Sequence, residues 1–509
     1  MACLLRSSAC DQVLLTSSTT PQRVQASFFN NVFDSFGFRI AWAGGRRAPA
    51  VRGAGARPFT RSPRVRILAV IPREVEVRLP ALSAVTSEST FQKLALLLRR
   101  NLDFGSHDSA YASHAIHPFS AKFPPQIPRL FIEELTESGD SILDPMAGSG
   151  TAIVEALILR REAFGFDIDP LAVRLCTVKT KWLNPTELEK AGIEIIQGAN
   201  RILGVKAQLR KDLENRFDTE TKKFIDYWFL PETQLELLAL IRTIQDSTEY
   251  PFRDFFELVF SSAIIAKTGG VSLARDLAHS RPHRDEKKKP RNAILEFQLR
   301  LAKTLKRFQN LPQGIKRVII GQRTAKELPL PSNSIDLVIT SPPYANAIDY
   351  MRAHKFSLVW FGHPIGTLSE LRGRYIGSER RADSSSDTLP PRTETAVKQL
   401  EQRDSDKARI VSKYLSEMEE VLTEMHRVLR VGKPAIIVVG PSLMRGFEVR
   451  THDYLAEIGE SIGFRVAGIQ KRQIARDRRM LPVSFGRNGD SMIEQRIHEE
   501  FVVGLVKNP

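Results

Sequence analysis

The stretch best suited to chemistry is residues 340–344, with the sequence TSPPY, which directly follows the apolar run IDLVI at residues 335–339. The apolar run predicts a buried parallel strand, and the two prolines end it because proline cannot donate to a strand ladder. The first proline also disfavours helical geometry at Ser341. The stretch therefore places a hydroxyl, free backbone carbonyls and the ring of Tyr344 at the carboxyl end of a strand, where open α/β sheets bind ligands. A flat substrate with an exocyclic amine could use all three groups, whereas the simpler interpretation is a loop with a surface tyrosine.

A second stretch, residues 141–151 with the sequence SILDPMAGSGT, leads from a short predicted strand through a glycine turn into a helical pattern. Gly148 and Gly150 allow the backbone to approach a ligand closely at the start of that helix. The turn is not a P-loop, because no Gly-Lys-Ser/Thr follows it, and it lacks the third glycine of a dinucleotide fingerprint.

A second strand, AFGFD at residues 163–167, follows the glycine turn and its helix. Asp167 stands at the end of this strand, where an acid is suited to binding ribose hydroxyls. Asp169 precedes a proline in the manner of a helix N-cap, so we expect Asp169 to be structural.

Three motifs together indicate a family. DPMAGSGT at residues 144–151, GFDIDP at residues 165–170 and TSPPY at residues 340–344 resemble the S-adenosylmethionine-dependent amino-methyltransferases of DNA, which modify cytosine N4 or adenine N6. The resemblance covers roughly residues 110–185 and 315–509.

The resemblance implies a binding site for S-adenosylmethionine. In this family an aromatic segment before the glycine motif forms part of the cofactor pocket, for which Phe119 and Lys122 are candidates. Relatives often place an acid just past the strand at 318–320 to bind the adenine amine, and Gln322 would take its place here. The remaining candidates for cofactor binding, all in the two glycine-containing motifs, are Asp144, Pro145, Ala147, Gly148, Gly150, Thr151 and Asp167.

The catalytic candidates are Ser341, Pro342, Pro343 and Tyr344. An aromatic exocyclic amine is a poor nucleophile because its lone pair is delocalised into the ring, so the site must accept hydrogen bonds from its N–H groups. We expect the Ser341 hydroxyl and the Pro342 carbonyl to do so, and Tyr344 to stack on a base extruded from the duplex. Methylation at carbon 5 would instead need a thiolate, usually in a Pro-Cys pair, and no such pair occurs.

Composition and charge are compatible with this interpretation. The chain has 509 residues, 42% of them hydrophobic, and a formal net charge of +16, which predicts a polyanionic partner. No apolar run is long enough to span a membrane. The cysteines (Cys3, Cys10 and Cys176) lack metal-binding spacing, so we expect neither a zinc site nor a disulfide framework.

The predicted fold is α/β with a parallel, doubly wound sheet, because helical and strand patterns alternate between about residues 411 and 506. The first helix of the domain is expected at about residues 91–101. The resemblance implies a doubly wound, mostly parallel seven-stranded sheet whose last strand inserts antiparallel near one edge.

Four segments are predicted. Residues 1–90 form an Arg-rich extension, poorly ordered or an organellar targeting segment. Residues 91–182 form the cofactor half of the methyltransferase domain, and residues 183–315 form a helical insert that is a candidate target-recognition region. Residues 316–509 form the catalytic half, in which the polar stretch 367–406 is predicted to be a mobile loop.

A basic cluster within the insert could contact phosphates, although such clusters are often solvated surface. Its candidate residues for nucleic-acid binding are Arg281, Arg284, Lys287, Lys288 and Lys289.

The predicted function is methylation of DNA, and Ser341 bears on which base is modified. In the family an aspartate at this position accompanies most adenine N6 enzymes, whereas cytosine N4 enzymes more often carry serine, whose hydroxyl could also donate to cytosine N3. We therefore expect cytosine N4 methylation, with adenine N6 as the alternative. An RNA methyltransferase of the guanine-N2 type and an inactive nucleic-acid-binding relative are two further hypotheses. A restriction endonuclease is a possible partner, and a bacterial or archaeal cytoplasmic location is expected.

Overall fold

The structure is a computed structural model, which describes residues 82–249, 251–266, 270–277, 282–314, 317–345, 349–378, 389–475 and 497–508. These residues belong to one compact unit, Arg78–Pro509. Most of the predicted extension (residues 1–81) and Arg281 lie outside the described residues. In the part of the chain that is described, no helix is both long enough and apolar enough to cross a bilayer.

A seven-stranded sheet forms the centre of this unit. The described strands, in chain order, are β1 (Ser141–Asp144), β2 (Glu162–Asp167), β3 (Ala274–Arg275), β4 (His283–Arg284), β5 (Val318–Gln322), β6 (Leu337–Thr340), β7 (Pro434–Val439), β8 (Ser442–Met444), β9 (Phe447–Val449), β10 (Phe464–Gln473) and β11 (Glu499–Lys507). The central sheet has the order β10-β11-β7-β6-β1-β2-β5, in which β11 is antiparallel to both of its neighbours and the other pairs are parallel. The predicted doubly wound, mostly parallel sheet is confirmed.

Helices cover both faces of this sheet and form the insert between β2 and β5. In chain order they are α1 (Leu82–Leu98), α2 (Gln126–Leu135), α3 (Thr151–Ile158), α4 (Pro170–Thr180), α5 (Pro185–Leu203), α6 (Lys206–Arg216), α7 (Thr219–Trp228), α8 (Pro231–Ser247), α9 (Phe252–Ile264), α10 (Ala293–Arg307), α11 (Met351–Leu358), α12 (Ile365–Gly373), α13 (Pro391–Glu401), α14 (Ser405–Val428) and α15 (Thr451–Ile462).

The central strands are apolar in their interiors because both of their faces are buried. In β1, Ile142 belongs to the core formed with α1, α2 and α3, whereas the next residue, Leu143, belongs to the core formed with α14 and α15. The alternation of side chains along a strand thus divides a continuous apolar run between two cores. Polar residues are left for the strand ends, where the site lies.

The insert is helical, as predicted, and it is not packed separately from the sheet domain. Its core of large apolar side chains, such as Phe256, is continuous with Leu171 and Leu175 of α4 and with Trp360, which follows α11. The insert is therefore fixed against the helices that follow β2 and β6, close to the carboxyl edge of the sheet.

The first helix begins earlier than the sequence pattern predicts. The apolar spacing indicates a helix at about residues 91–101, whereas α1 spans Leu82–Leu98. The last nine residues of the predicted extension therefore belong to a helix, and buried Leu94 and Leu98 attach that helix to the sheet. The local sequence before residue 91 is polar, so only this packing identifies the helix as part of the domain.

The stretch 367–406 is not a continuous loop, which corrects the prediction. It contains most of α12 and the whole of α13, and only residues 379–388 lie outside the described part. The N-terminus of α13 is capped by Glu457 of α15, which accepts from Arg392 N at 2.9 Å and Thr393 N at 2.8 Å. A distant carboxylate thus satisfies backbone donors that the local sequence leaves without a partner.

A side-chain hydrogen bond joins the ends of β1 and β6. Asp144 Oδ1 accepts from Thr340 Oγ1 at 2.7 Å and from Met146 N at 3.2 Å. The parallel register pairs Leu143 with Val338, so Asp144 and Thr340 stand at neighbouring strand ends. The glycine motif and the TSPPY motif are therefore directly connected.

The packing of α1 can be tested at Gly504 of β11. A Cβ atom there would lie 2.6 Å from Leu98 Cδ1 and 3.1 Å from Leu94 Cδ2. We expect Gly504→Ala to lower the midpoint of thermal unfolding, since overpacking a core costs about 1–3 kcal/mol. Gly366→Ala is the control, because a Cβ atom there would come no closer than 3.8 Å to the Glu220 carboxylate, its nearest contact. Equal midpoints for the two variants would contradict this packing.

The Asp144 carboxyl should make stability depend on pH. Burial raises its pKa from 3.8 to about 7. The stability that it contributes is complete below the unfolded pKa and is lost as the pH rises through the folded pKa. Asp144→Asn cannot ionise at this position. Relative to that variant, the free energy of unfolding of the parent protein should fall by up to about 1.4 kcal/mol for each pH unit between 3.8 and about 7. Thermal unfolding from acidic to neutral pH measures this, with Asp406→Asn at an exposed position as a control. Parallel curves for the parent and Asp144→Asn would contradict it.

Candidate active site

An open cavity of about 1380 Å³ lies where β1, β2 and β6 end. Its wall combines the glycine turn, the loop after β2 and the TSPPY loop. Ten of the residues predicted for cofactor binding or catalysis line it: Phe119, Lys122, Pro145, Ala147, Gly148, Thr151, Asp167, Ser341, Pro343 and Tyr344. The fold thus brings together side chains from motifs that are far apart in the sequence.

Three predicted residues lie behind this wall rather than in it. Asp144 is buried and is directed to Thr340. Gly150 adopts a φ of 74°, and a Cβ atom there would lie 2.9 Å from Cys176 Sγ, so glycine is required by the contact with α4. Pro342 is buried beneath its neighbours. These residues shape the loops, and none of their side chains lines the cavity.

Gln322 also does not line the cavity, which corrects its predicted place at the cofactor. Its side chain is exposed, and its Nε2 donates to Ile168 O at 3.1 Å. At this end of the cavity the lining residues are Ile168, Thr324 and Ala325. The chain bends after β5 so that the residues just beyond Gln322, not Gln322 itself, reach the wall.

The glycine turn presents its backbone to the cavity. Gly148 has a φ of 48°, and a Cβ atom there would lie 3.6 Å from the Phe119 ring. Gly148 N donates to Asp167 Oδ2 at 2.7 Å, and Asp167 Oδ1 accepts from Asp169 N at 2.9 Å. Burial raises the pKa of Asp167 to about 6. Each carboxylate oxygen keeps a lone pair, so Asp167 can still accept hydroxyl hydrogen bonds.

Aromatic rings and a buried hydrogen bond between a histidine and a carboxylate lie beside Asp167. Phe119 stacks on Tyr350 with 5.4 Å between ring centroids and lies 5.0 Å from the His354 ring. His354 Nδ1 lies 2.5 Å from Asp169 Oδ2. Asp169 also accepts from Leu171 N at 2.8 Å, which confirms its predicted role as the N-cap of α4. Asp169 thus fixes both α4 and α11.

Sequence reasoning missed Arg372, Arg374 and Tyr375, which line the cavity. Arg372 Nε donates to Asp349 Oδ2 at 2.5 Å, and Asp349 Oδ2 also accepts from Arg352 Nε at 3.0 Å. No motif marks Arg372, Arg374 or Tyr375, because these three residues reach the cavity through the packing of α12 against α7 and α11.

Ser341 is placed to accept hydrogen bonds. Its Oγ donates to Val438 O of β7 at 3.0 Å, and the residue lines the cavity. Since a hydroxyl has one proton and two lone pairs, this bond commits the proton and leaves acceptor capacity. Ser341 in this arrangement is an acceptor rather than a donor.

Tyr344 is held on two sides. Its ring packs on Gly440, where a Cβ atom would lie only 2.5 Å from Tyr344 Cε2. Its Oη donates to Glu500 Oε1 of β11 at 2.7 Å, and Glu500 pairs with Arg472 of β10. Arg472 is itself only 3% exposed and donates from Nε to Leu102 O at 3.1 Å. The ring orientation is therefore set by strands at the antiparallel side of the sheet.

A second cavity adjoins the first at Tyr344. It shares Lys122, Thr151 and Tyr344 with the first cavity and is otherwise lined partly by Arg472 and Glu500. Tyr344 thus stands between the space beside the glycine turn and a space that extends towards β10 and β11. The sequence held no signal for Arg472 or Glu500, because their importance depends on the cross-strand pairing of those two residues.

Two histidines near the candidate Lys122 are buried parts of the scaffold. His114 Nε2 lies 2.7 Å from Glu155 Oε1, and His117 Nε2 lies 3.0 Å from Ser261 Oγ. Burial lowers the pKa of both imidazoles. Lys122 Nζ donates to His114 O at 2.8 Å, so the loop that precedes α2 is held in place from within.

The predicted basic cluster of the insert lies away from these cavities. Arg284 pairs with Glu286 at 2.8 Å and lies over the Tyr227 ring, and Lys288 Nζ donates to Ala274 O at 2.5 Å. Lys287 and Lys289 are exposed. Part of the cluster's charge is therefore used internally, and its proposed contact with nucleic acid stays a prediction.

Comparison with known proteins agrees with this architecture. A family model described as DNA methylase matches residues 97–178. The type II methyltransferase M.MvaI of Kocuria varians is 22% identical over 70% of this chain and 83% of its own length. The type II methyltransferase M.BsoBI of Geobacillus stearothermophilus is 26% identical over 49% of this chain and 53% of its own length.

Among solved structures, an S-adenosylmethionine-dependent methyltransferase of Methanosarcina mazei matches with 10% identity and a TM-score of 0.27, over 74% of this chain and 97% of its own. This likeness is too weak to support a conclusion about function. The chain is therefore similar to DNA methylases in residues 97–178 and to type II methyltransferases over 49–70% of its length, and its three motifs lie on one mostly parallel sheet.

Proposed function

We propose that this chain methylates an exocyclic amine in DNA, with cytosine N4 as the preferred acceptor. The observation that carries the proposal is the shared cavity, which Gly148 and Asp167 line together with Ser341 and Tyr344. A methyl donor held by the first pair and an amine held by the second would meet in one space. Such positioning of two reactants is a major source of catalysis.

The cofactor side of the cavity fits S-adenosylmethionine. The backbone of Gly148 can be approached closely, Asp167 retains acceptor capacity for ribose hydroxyls, and Phe119 supplies an aromatic surface beside the turn. When bound, the cofactor supplies a methyl group activated by a positively charged sulfur. The ammonium group of Lys122, in the same wall, would attract an anionic group of the cofactor.

The acceptor side would handle the amine. Ser341 Oγ has acceptor capacity because its proton goes to Val438 O. Together with the Pro342 carbonyl, it would accept hydrogen bonds from the amine and favour a tetrahedral nitrogen. As the bond between nitrogen and the methyl carbon forms, the bond between that carbon and the cofactor sulfur would break, and the positively charged nitrogen would release one proton to solvent water. These acceptors would hold the N–H groups during the transfer.

Tyr344 would stack on the target base. The duplex hides the amine, so the base must be extruded before it can react. The ring of Tyr344 is kept in a fixed orientation by Gly440 and by the bond to Glu500. A ring that is already immobilised loses little conformational freedom when a base stacks on it.

The preference for cytosine N4 rests on Ser341. Family members with serine at this position more often modify cytosine, and a hydroxyl is a weaker acceptor than a carboxylate. Donation from Ser341 to cytosine N3 would require the proton to leave Val438 O, so the preference rests on the family pattern of serine at this position. Adenine N6 is the alternative acceptor.

The names of two relatives support a wider setting for the proposal. M.MvaI and M.BsoBI are named type II methyltransferases, a class associated with restriction and modification. A restriction endonuclease partner and a cytoplasmic location in a bacterium or archaeon are part of the proposal. Guanine-N2 methylation of RNA and loss of catalysis are the competing hypotheses.

Transfer of labelled methyl groups tests the role of Tyr344. We expect Tyr344→Ala to lower transfer to unmethylated genomic DNA by roughly 10- to 100-fold or more, since stacking on a base is worth about 1–3 kcal/mol. Tyr344→Phe, which keeps the ring and loses only the bond to Glu500, should retain more activity. Cofactor binding measured by calorimetry should persist in both variants. Full activity of Tyr344→Ala would overturn the assignment, and labelling of tRNA but not DNA in a parallel reaction would favour the RNA hypothesis.

The identity of the modified base is tested by digestion of the methylated DNA to nucleosides and mass analysis. N4-methylcytosine is the expected product. N6-methyladenine as the sole product would overturn the base preference while leaving the enzyme class unchanged.

A further inference from the structure

A basic groove lies on the other side of the loop that carries Phe119. It has a volume of about 1420 Å³ and runs between residues 115–119 and α10. Five basic residues line it: Lys122, Arg291, Arg300, Lys303 and Arg307. Glu296 is the acidic residue among the lining residues, so positive charge dominates the groove.

The acidic residue orders the groove rather than neutralising it. Glu296 is 1% exposed and accepts from Arg291 Nη1 at 2.9 Å and from Arg300 Nε at 2.7 Å. One buried carboxylate thus positions two guanidinium groups, each of which has further donors. Two positive charges around one negative charge leave a net positive site.

Lys303 and Arg307 lie one helical turn apart on α10 and continue this charge along the groove. Both side chains are exposed, and within the described residues Lys303 makes neither a salt bridge nor a hydrogen bond. The positive charge of Arg307 lowers the pKa of Lys303, as expected for like charges at close range. A basic residue in the last turn of a helix interacts favourably with the helix dipole, which accounts for Arg307. Arg300 and Lys303 lie further from that end, so the dipole does not account for them.

The groove is continuous with the active site. Phe119 and Lys122 line both the groove and the catalytic cavity. A polyanion lying along α10 would therefore pass beside the space that holds the cofactor and the target amine. The predicted basic cluster at residues 281–289 shows no such connection in its described part, since none of its described residues lines either cavity.

We propose that the groove between residues 115–119 and α10 binds the phosphodiester backbone of duplex DNA next to the target base. This rests on the proposed function, in which DNA is the substrate. Lys303 and Arg307 contact phosphates directly, and Arg300, positioned by Glu296, adds a guanidinium suited to a phosphate oxygen. Contacts of this kind set the register of the protein on the duplex and carry no base specificity.

The experiment measures how salt weakens binding to a labelled random-sequence duplex. Each phosphate contact contributes about 0.9 to the slope of the logarithm of affinity against the logarithm of salt concentration. The double variant Lys303→Gln with Arg307→Gln should have a slope lower by about two such contacts. The control, Lys190→Gln with Lys211→Gln, removes the same charge from exposed positions of the insert that line neither cavity and should keep the parent slope.

Several outcomes would overturn the inference. An unchanged slope in the groove variant would do so, and so would an equal fall in both double variants, since that would indicate only a general effect of charge. A loss confined to tRNA binding would assign the groove to RNA. If the double variant fails to bind S-adenosylmethionine, the single variant Lys303→Gln replaces it in the experiment, because the Lys303 side chain makes no hydrogen bond in the described structure. The salt slope of this single variant should fall by about one phosphate contact.

The result is separable from that for the proposed function. Duplex binding through the groove by a chain that transfers no methyl group would refute the proposed function and leave this inference standing. Methyl transfer to DNA together with an unchanged salt slope in the groove variant would refute this inference and leave the proposed function standing.

Discussion

The site depends on the parallel pairing of β1 with β6, which the hydrogen bond between Asp144 and Thr340 completes at 2.7 Å. These two residues are 196 positions apart in the chain, and the whole helical insert lies between them. Because the strands are parallel and adjacent, the glycine turn after β1 and the TSPPY loop after β6 open into the same cavity. Without this pairing the two halves of the proposed reaction would have no common space.

Buried charge fixes the geometry around that cavity. Asp169 holds His354 at one side, and Glu500 with Arg472 holds the Tyr344 hydroxyl at the other. Buried ionic groups are costly unless they are paired and hydrogen-bonded, so pairs of this kind restrict the side chains to few arrangements. A rigid wall suits a reaction in which the protein mainly orients a methyl donor and a weak nucleophile.

The position of the positive charges also depends on the tertiary structure. A net charge of +16 indicates a polyanionic partner but not where it binds. In the cluster at residues 281–289, Arg284 and Lys288 have internal partners, whereas the groove along α10 adjoins the catalytic cavity and includes Lys303, which forms no ion pair among the described residues. The two basic surfaces therefore differ in their position, since within the described residues the groove along α10 adjoins the catalytic cavity and the cluster does not.

Local patterns along the chain were enough to predict the sheet, its main strands and the positions of the three motifs, because apolar runs, prolines and glycines act through local backbone geometry. The strand ends in the sequence pointed to Asp167, Ser341 and Tyr344, and all three line the cavity. Long-range packing settled which neighbours complete the site. Arg472 and Glu500 carry no motif, Gln322 stands outside the wall although its position suggested otherwise, and the helix that spans Pro391–Glu401 depends on a cap from Glu457. Each of these outcomes is set by contacts between residues far apart in the chain, which local patterns cannot encode.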